Sequence, residues 1–248
     1  MVRNFKVAAV QLNISKPVSS IIKDIKKYIH LAKKRNADII CFPEGSVYAG
    51  LKKNKAIISQ IKDCCKTYGM WCIIASYLKE RIYSYNSALL INDKGKINGK
   101  HKKVHVLGDG PEISPGSKFD IYSTPFCKVG IAICWDISNP RAIYSMAKKG
   151  AKIIFCPMYW CYDEWAHRKS HKKFEKKILQ SLILTRAYES MVYIVFCNPI
   201  DREENRLTSY TAIAEPHKII KEIFGKEGMI VANIDLKYLA SIRKKVLS

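Results

Sequence analysis

The sequence has no apolar run that approaches the roughly 20 residues needed to span a membrane, and its N-terminus lacks the apolar core of a signal peptide. We therefore expect a soluble, cytoplasmic protein with no membrane partner. Glycine and proline are also scarce, at 12 and 9 of 248 residues, and no segment has the composition of a linker. Together with a hydrophobic content of 48%, this composition excludes a disordered chain and favours one domain over residues 1–248.

A Cys-x-x-Cys pair is absent, which argues against a zinc ribbon or a thioredoxin-type site. The nine cysteines have no regular spacing and mostly fall in apolar runs, as reduced core residues do. His167 and His171 lie four positions apart on a predicted helix, but a zincin would carry glutamate where this chain has Arg168. We interpret the pair as part of a solvated, basic helix face rather than as a metal site.

Acidic residues are few: the chain has 21 of them and 43 lysines and arginines, which gives a formal net charge of +22. A nucleic-acid-binding protein usually concentrates such charge on one face, with aromatic or helix-turn-helix elements that read the bases. Here the lysines are spread over almost every predicted helix and turn, and no such motif is present. The charge attracts anionic partners without defining a site, and we do not expect nucleic acid as the main partner.

Short apolar runs alternate with amphipathic segments, which predicts an α/β fold with buried strands. Residues 37–44 and 151–158 are similar almost position by position, and each run ends at a proline corner. A predicted strand and helix precede each of them. We infer two strand–helix–strand halves that bring their functional corners together.

Two side chains stand directly after predicted strands, where open α/β sheets place functional groups. Cys134 follows the run 129–133 and precedes Asn139 and Pro140, which are typical of a helix start. A cysteine in such an elbow points its sulfur towards backbone N–H groups that favour a thiolate or an oxyanion. Glu44 follows the run that ends at the first proline corner. Without further context, a cysteine such as Cys134 is more often a small core residue, and Glu44 could equally be a solvated loop residue.

Other candidate residues are less distinctive on local sequence alone. Residues 159–165 form an aromatic loop suited either to walling a pocket or to filling the core. Lys103 belongs to a lysine cluster of the kind that usually lies on the surface.

Several short motifs occur in one order along the chain: Phe42-Pro43-Glu44, Lys103-Val104-His105, Thr124-Pro125-Phe126 leading to Cys134-Trp135-Asp136, Ala187-Tyr188-Glu189 with Tyr193 and Asn198, and Ile234-Asp235-Leu236. In this order and at these separations the chain resembles the nitrilase superfamily of carbon–nitrogen hydrolases over nearly its whole length. The resemblance implies a four-layer α-β-β-α sandwich. It also implies a Glu–Lys–Cys triad, which by position is formed by Glu44, Lys103 and Cys134.

The residue types suit this chemistry. A thiolate is a far better nucleophile towards an unactivated amide than water is at neutral pH. Glu44 would take the thiol proton, pass it to the departing amine and later activate water. Lys103 would stabilise the oxyanion together with the backbone N–H of Trp135, and its charge would lower the pKa of both neighbours.

The resemblance also suggests further site residues. Glu112 matches a second glutamate that many members carry before a Pro-Gly, here Pro115-Gly116, and it would position the substrate and Lys103. Trp135, Tyr159 and Trp160 are expected to contact the substrate. No metal or organic cofactor is required, and family members usually form homodimers or larger assemblies through their helical faces.

We therefore predict hydrolysis of a small linear amide or N-carbamoyl compound through a cysteine thioester. Ser138 to Arg141 replace a motif whose arginine helps to bind a substrate carboxylate in ω-amidase-like branches, which argues mildly against those branches. Nitrile hydrolysis or acyl transfer on the same fold is an alternative. A non-catalytic, basic scaffold that binds nucleic acid is a third.

Overall fold

Twelve strands and five α-helices make up the regular structure of residues 4–48, 50–162, 169–201 and 206–246, which are those that the computed structural model describes. The strands are β1 (Phe5–Gln11), β2 (Ile39–Cys41), β3 (Trp71–Glu80), β4 (Tyr83–Ile91), β5 (Ile97–Lys102), β6 (Ile121–Ser123), β7 (Lys128–Ile131), β8 (Ile153–Pro157), β9 (Tyr193–Cys197), β10 (Tyr210–Glu215), β11 (Lys218–Phe224) and β12 (Gly228–Ile234). The helices are α1 (Val18–Lys34), α2 (Leu51–Tyr68), α3 (Pro140–Lys148), α4 (Glu175–Ser190) and α5 (Leu236–Val246), and 3-10 helices cover Cys134–Ser138 and Lys169–Phe174.

The strands form two six-stranded sheets, and each sheet contains three neighbouring parallel strands. One has the order β12-β1-β2-β3-β4-β5 and the other β11-β10-β9-β8-β7-β6. Strands β1, β2 and β3 are parallel and connected by α1 and α2, while β7, β8 and β9 are parallel and connected by α3 and α4. The two predicted strand–helix–strand halves are therefore confirmed.

Alternation along β1 shows how the layers stack, because successive strand side chains point to opposite faces of a sheet. Val7 and Ala9 belong to the cluster that fills the space between the sheets and extends under α3 and α4. Ala8 and Val10 belong to a second cluster with the apolar faces of α1 and α2. The order of layers is helix, sheet, sheet, helix, and the predicted four-layer α-β-β-α sandwich is confirmed.

Local signals predicted some element boundaries and missed others. Asn139 caps α3 as predicted, since its side chain accepts a hydrogen bond from the backbone N–H of Arg141 at 3.0 Å. The start of α1 at Val18 has no side-chain cap; the carbonyl of Pro17 accepts the first helical hydrogen bonds. Among the described helices, none has the length and apolar character needed to cross a membrane.

Candidate active site

The predicted functional corners meet at one end of the sheets. The backbone N–H of Glu44, after β2, donates to the carbonyl of Met158, after β8, at 3.1 Å. Met158 in turn donates from its backbone N–H to Cys197 at the end of β9 (2.8 Å). Asn198 accepts a hydrogen bond from the backbone N–H of Trp160 at 2.7 Å through its side-chain oxygen. These hydrogen bonds hold the strand ends, and the side chains that follow them, in a fixed arrangement.

Cys134 occupies a strained position at this edge. It begins the 3-10 helix Cys134–Ser138, and its φ of +46° lies in the left-handed region that non-glycine residues rarely adopt. Such a conformation costs on the order of 1–3 kcal/mol and persists only where the surroundings impose it. The residue is 8% exposed, and its thiol lies against the carboxylate of Glu44 and the backbone of Tyr159.

A buried charge cluster surrounds the thiol. Lys103 Nζ donates to Glu44 Oε1 at 3.0 Å and to Asp109 Oδ2 at 2.7 Å. Asn86 Nδ2 donates to the same two carboxylates, and the Tyr77 hydroxyl donates to Asp109 Oδ1 at 2.9 Å. Hence two carboxylates share one ammonium group, and the structure brings the three side chains of the expected triad into a single cluster.

Burial sets the protonation of the site. It raises the pKa of Glu44 above its ordinary value of 4.5; the charge of Lys103 opposes this shift and that of Asp109 adds to it. Burial also raises the pKa of the Cys134 thiol well above its ordinary value, and Glu44 adds to the shift. Lys103 lowers both pKa values, as predicted, but burial outweighs its attraction and the net shift of each is upward. The resting site therefore holds a neutral thiol next to a potential base.

The carboxylate that contacts Lys103 besides Glu44 is Asp109, which corrects the role expected for Glu112. Glu112 is exposed and lines the mouth of the cavity. Asp109 lies between Gly108 and Gly110, whose φ values of +73° and +90° allow a loop tight enough to return the carboxylate to the ammonium group. An acid between two glycines, six residues after the lysine, was a signal that sequence reasoning could have used. Substrate positioning by Glu112 stays a prediction.

The cluster lies in a cavity of about 870 Å³. Trp135, Tyr159 and Trp160 line it, as expected of the predicted substrate contacts. The rings of Trp135 and Trp160 stack with centroids 5.4 Å apart, and Trp135 is 40% exposed. The rest of the aromatic loop, residues 163–165, lies outside the described residues, as does His167. That these aromatic side chains bind substrate stays a prediction.

Asp136 ties the loop of Lys103 to the elbow of Cys134. Its fully buried carboxylate accepts hydrogen bonds from the backbone N–H groups of Ile133, Val104 and His105, at 3.0, 3.1 and 2.8 Å. The ring nitrogens of His101 and His105 lie 3.1 Å from its two oxygens. Burial by itself would raise the pKa of Asp136, but these hydrogen bonds, that of His101 foremost, lower it below its ordinary value. One carboxylate thus fixes the chain next to the expected nucleophile and next to the expected lysine.

We expect Asp136→Asn to destabilise the protein by about 2–3 kcal/mol, because an amide offers one acceptor oxygen and directs its NH₂ group at N–H donors. Since the folded-state pKa of Asp136 is lowered, its contribution is present above the unfolded-state pKa and disappears as pH falls through the folded-state value. Urea unfolding at neutral and acidic pH measures both effects. A variant as stable as the wild type at neutral pH would contradict this role.

Comparison with known proteins agrees with this geometry. The family model described as carbon-nitrogen hydrolase matches residues 6–244. Omega-amidase NIT2-A of Xenopus laevis is 25% identical over 268 aligned residues, which cover 98% of this chain and 92% of that protein.

Solved structures show the same fold. The carbon-nitrogen hydrolase of Helicobacter pylori G27 superposes with a TM-score of 0.90 at 18% identity, covering 99% of this chain and 94% of that one. A mutant amidase of Nesterenkonia sp. AN1, with acrylamide added to its active-site cysteine, superposes with a TM-score of 0.80 at 16% identity, covering 98% of both chains. The predicted nitrilase-superfamily fold and enzyme class are confirmed: this chain belongs to the carbon–nitrogen hydrolase family.

Proposed function

We propose that this protein hydrolyses the carbon–nitrogen bond of a small amide or N-carbamoyl compound through a thioester on Cys134. The observation that carries the proposal is the meeting of Glu44, Lys103 and Cys134 in one cavity, although the first and last are ninety positions apart in the chain. An acid–base group that contacts both a cation and a nucleophile in one cavity supplies the parts that acyl transfer requires.

Acylation begins from the neutral thiol. As Sγ of Cys134 attacks the substrate carbonyl carbon, its proton passes to the carboxylate of Glu44, which lies against it. The carbonyl oxygen becomes negative, and the ammonium group of Lys103 with the backbone N–H of Trp135 stabilises it. Glu44 then protonates the leaving nitrogen, the carbon–nitrogen bond breaks, and the thioester remains.

Deacylation reuses the same groups. Glu44, again a carboxylate, removes a proton from a water molecule that attacks the thioester carbon. The carbon–sulfur bond then breaks, Glu44 returns the proton to the sulfur of Cys134, and the acid leaves. The role of Asp109 is electrostatic. Burial by itself lowers the pKa of Lys103, but the attraction of Glu44, Cys134 and Asp109 outweighs burial and raises it above its ordinary value. When Glu44 takes up a proton its attraction is lost, and Asp109 remains as the carboxylate that pairs with the ammonium group of Lys103.

Amides are the substrates that the comparisons favour. The relative from Xenopus laevis is named an omega-amidase, and the neighbour from Nesterenkonia sp. is an amidase whose cysteine forms a covalent adduct. The nucleophile assigned here, Cys134, is of the same residue type as the modified cysteine of that amidase.

Iodoacetamide is expected to alkylate Cys134 faster than any of the other eight cysteines. Cys127 and Cys161 are more exposed than Cys134, so exposure alone would favour them. The carboxylate of Glu44 accepts the thiol proton during attack and reverses that order. Peptide mapping by mass spectrometry after a brief exposure gives the rates, and ammonia release from a panel of primary amides tests turnover directly.

The same labelling on Glu44→Gln is the matched control, because it removes the base and leaves the thiol in place. In this variant iodoacetamide should alkylate Cys134 no faster than the other cysteines. Uniform labelling of the wild type, or labelling of Cys127 and Cys161 first, would contradict the assigned nucleophile.

Three further expectations stay predictions. These are a single domain over residues 1–248, a location in the cytoplasm, and a homodimer or larger homo-oligomer.

A further inference from the structure

We infer that the substrate of this enzyme carries an uncharged, apolar substituent next to its amide or carbamoyl group, an inference that rests on the proposed function. The substituent is attached either through the acyl carbon or through the nitrogen. Its binding site is a part of the active-site cavity that we call the apolar arm, formed by Ile14, Val18, Ile21 and Leu51.

The apolar arm is formed by different chain segments from those of the reactive end of the cavity, and its side chains are aliphatic. Ile14 follows β1, Val18 and Ile21 lie in the first turns of α1, and Leu51 begins α2. Ile14, Val18 and Leu51 are half-buried, so part of their aliphatic surface faces the cavity. A ligand that covers this surface removes it from water, which is favourable in proportion to the area covered.

The charges around the cavity give no net attraction to a substrate carboxylate. In spite of the net charge of +22, the charged lining among the described residues is balanced. Three acidic and three basic side chains contribute: Glu44, Asp109, Glu112, Lys16, Lys103 and Arg206.

Each lysine of this lining is already engaged. Lys103 contacts two carboxylates of the reactive cluster. Lys16, the base nearest to the apolar arm in sequence, pairs with Asp24 at 2.6 Å and with Glu227 at 2.9 Å. A carboxylate placed in the apolar arm would meet a lysine that two acids already neutralise, and it would lose its hydration without gaining an unopposed cation.

Arg206 is the remaining basic group of this lining, and it is exposed at the cavity. A substrate carboxylate that bound there would reverse the inference. The experiment must therefore separate the apolar arm from Arg206.

Two isosteric substrate pairs make the test. Isocaproamide and succinamate differ in whether an isopropyl or a carboxylate group ends the acyl chain, and isobutylurea and N-carbamoylglycine differ in the same way on the nitrogen side. In the pair that is hydrolysed, we expect kcat/KM for the apolar member to be at least about tenfold higher. The apolar member should also protect Cys134 from iodoacetamide at a concentration lower by about the same factor.

Variants of the cavity lining test which residues determine this substrate preference. Leu51→Arg should shift the ratio of kcat/KM values towards the carboxylate member by about tenfold or more, while Leu51→Met should keep the ratio. Arg206→Gln should also keep it. A ratio within one variant does not depend on the amount of active enzyme, so partial misfolding cannot imitate the shift.

The outcomes distinguish the two proposals. Equal or better turnover of the carboxylate members, or a selective loss of their turnover in Arg206→Gln, would overturn the apolar substituent and leave the amidase intact. If neither pair is hydrolysed or protects Cys134, and Cys134 is labelled no faster than the other cysteines, the proposed function fails and this inference with it.

Discussion

Glu44→Gln is expected to reduce amide turnover by about a thousandfold or more, because the same carboxylate serves as base and acid in both halves of the reaction. The side-chain oxygen of glutamine can still accept the hydrogen bonds that Lys103 and Asn86 donate to Oε1. What is lost is a group that can take up a proton. The fold should therefore be retained while the chemistry is not.

The raised pKa of Glu44 predicts two pH effects, one on kcat/KM and one on the stability of the wild type. Because the carboxylate must be ionised to accept the thiol proton, kcat/KM of the wild type should fall as pH decreases through a value above 4.5. Because the folded state binds this proton more tightly than the unfolded state, wild-type stability should fall as pH rises from 4.5 through the raised value. Glutamine does not titrate, and the variant should be at least as stable at neutral pH.

Ammonia release and urea unfolding across this pH range measure both effects. Normal rates in Glu44→Gln would eliminate the assigned base. A wild-type profile that stays flat down to the ordinary pKa of a glutamate would contradict the raised value.

The central part of the fold was predictable because its strands are buried on both faces. Runs such as residues 129–133 and 151–158 contain so many apolar residues that few other structures can bury them. The edge strand β11 was not predicted. It is half-exposed and carries charged residues among its isoleucines, so its sequence lacks the continuous apolar signal. Its place depends on pairing with β10, which is tertiary information.

The site was predictable in its three motif residues and not in their surroundings. Asp109 reaches Lys103 through the conformation of a glycine loop, and the family resemblance led to Glu112 instead. Asn86 lies in the middle of β4, where its side chain has the appearance of an ordinary strand residue. The lowering effect of Lys103 on both pKa values was predicted, but the net upward shift was not, because burial outweighs a single neighbouring cation and burial depends on the whole fold.

Lys103→Met is expected to destabilise the protein by about 3–5 kcal/mol and to abolish turnover. The substitution preserves much of the side-chain volume but leaves Glu44 and Asp109 buried together without their cation. The Asn86 amide still donates to both carboxylates, and the Tyr77 hydroxyl donates to Asp109. Two such carboxylates repel each other and favour protonation. The deficit in the free energy of unfolding should therefore shrink as pH falls, which urea denaturation at neutral and mildly acidic pH measures.

Two further variants separate stability from chemistry. Adding Asp109→Asn to Lys103→Met removes one of the unpaired charges and should recover more than half of the lost stability, yet turnover should stay absent because the oxyanion has no cation. Lys102→Met is the matched control: this neighbouring lysine pairs with Glu80 at 2.9 Å with 30% of its side chain exposed. Since exposed ion pairs contribute about 0–1 kcal/mol, that variant should keep its stability and its turnover. An equal and small loss of stability in Lys103→Met and Lys102→Met would contradict this prediction. It would mean that the single cation does not stabilise the buried cluster. The assignment of Lys103 as the group that stabilises the oxyanion would then lose its electrostatic basis.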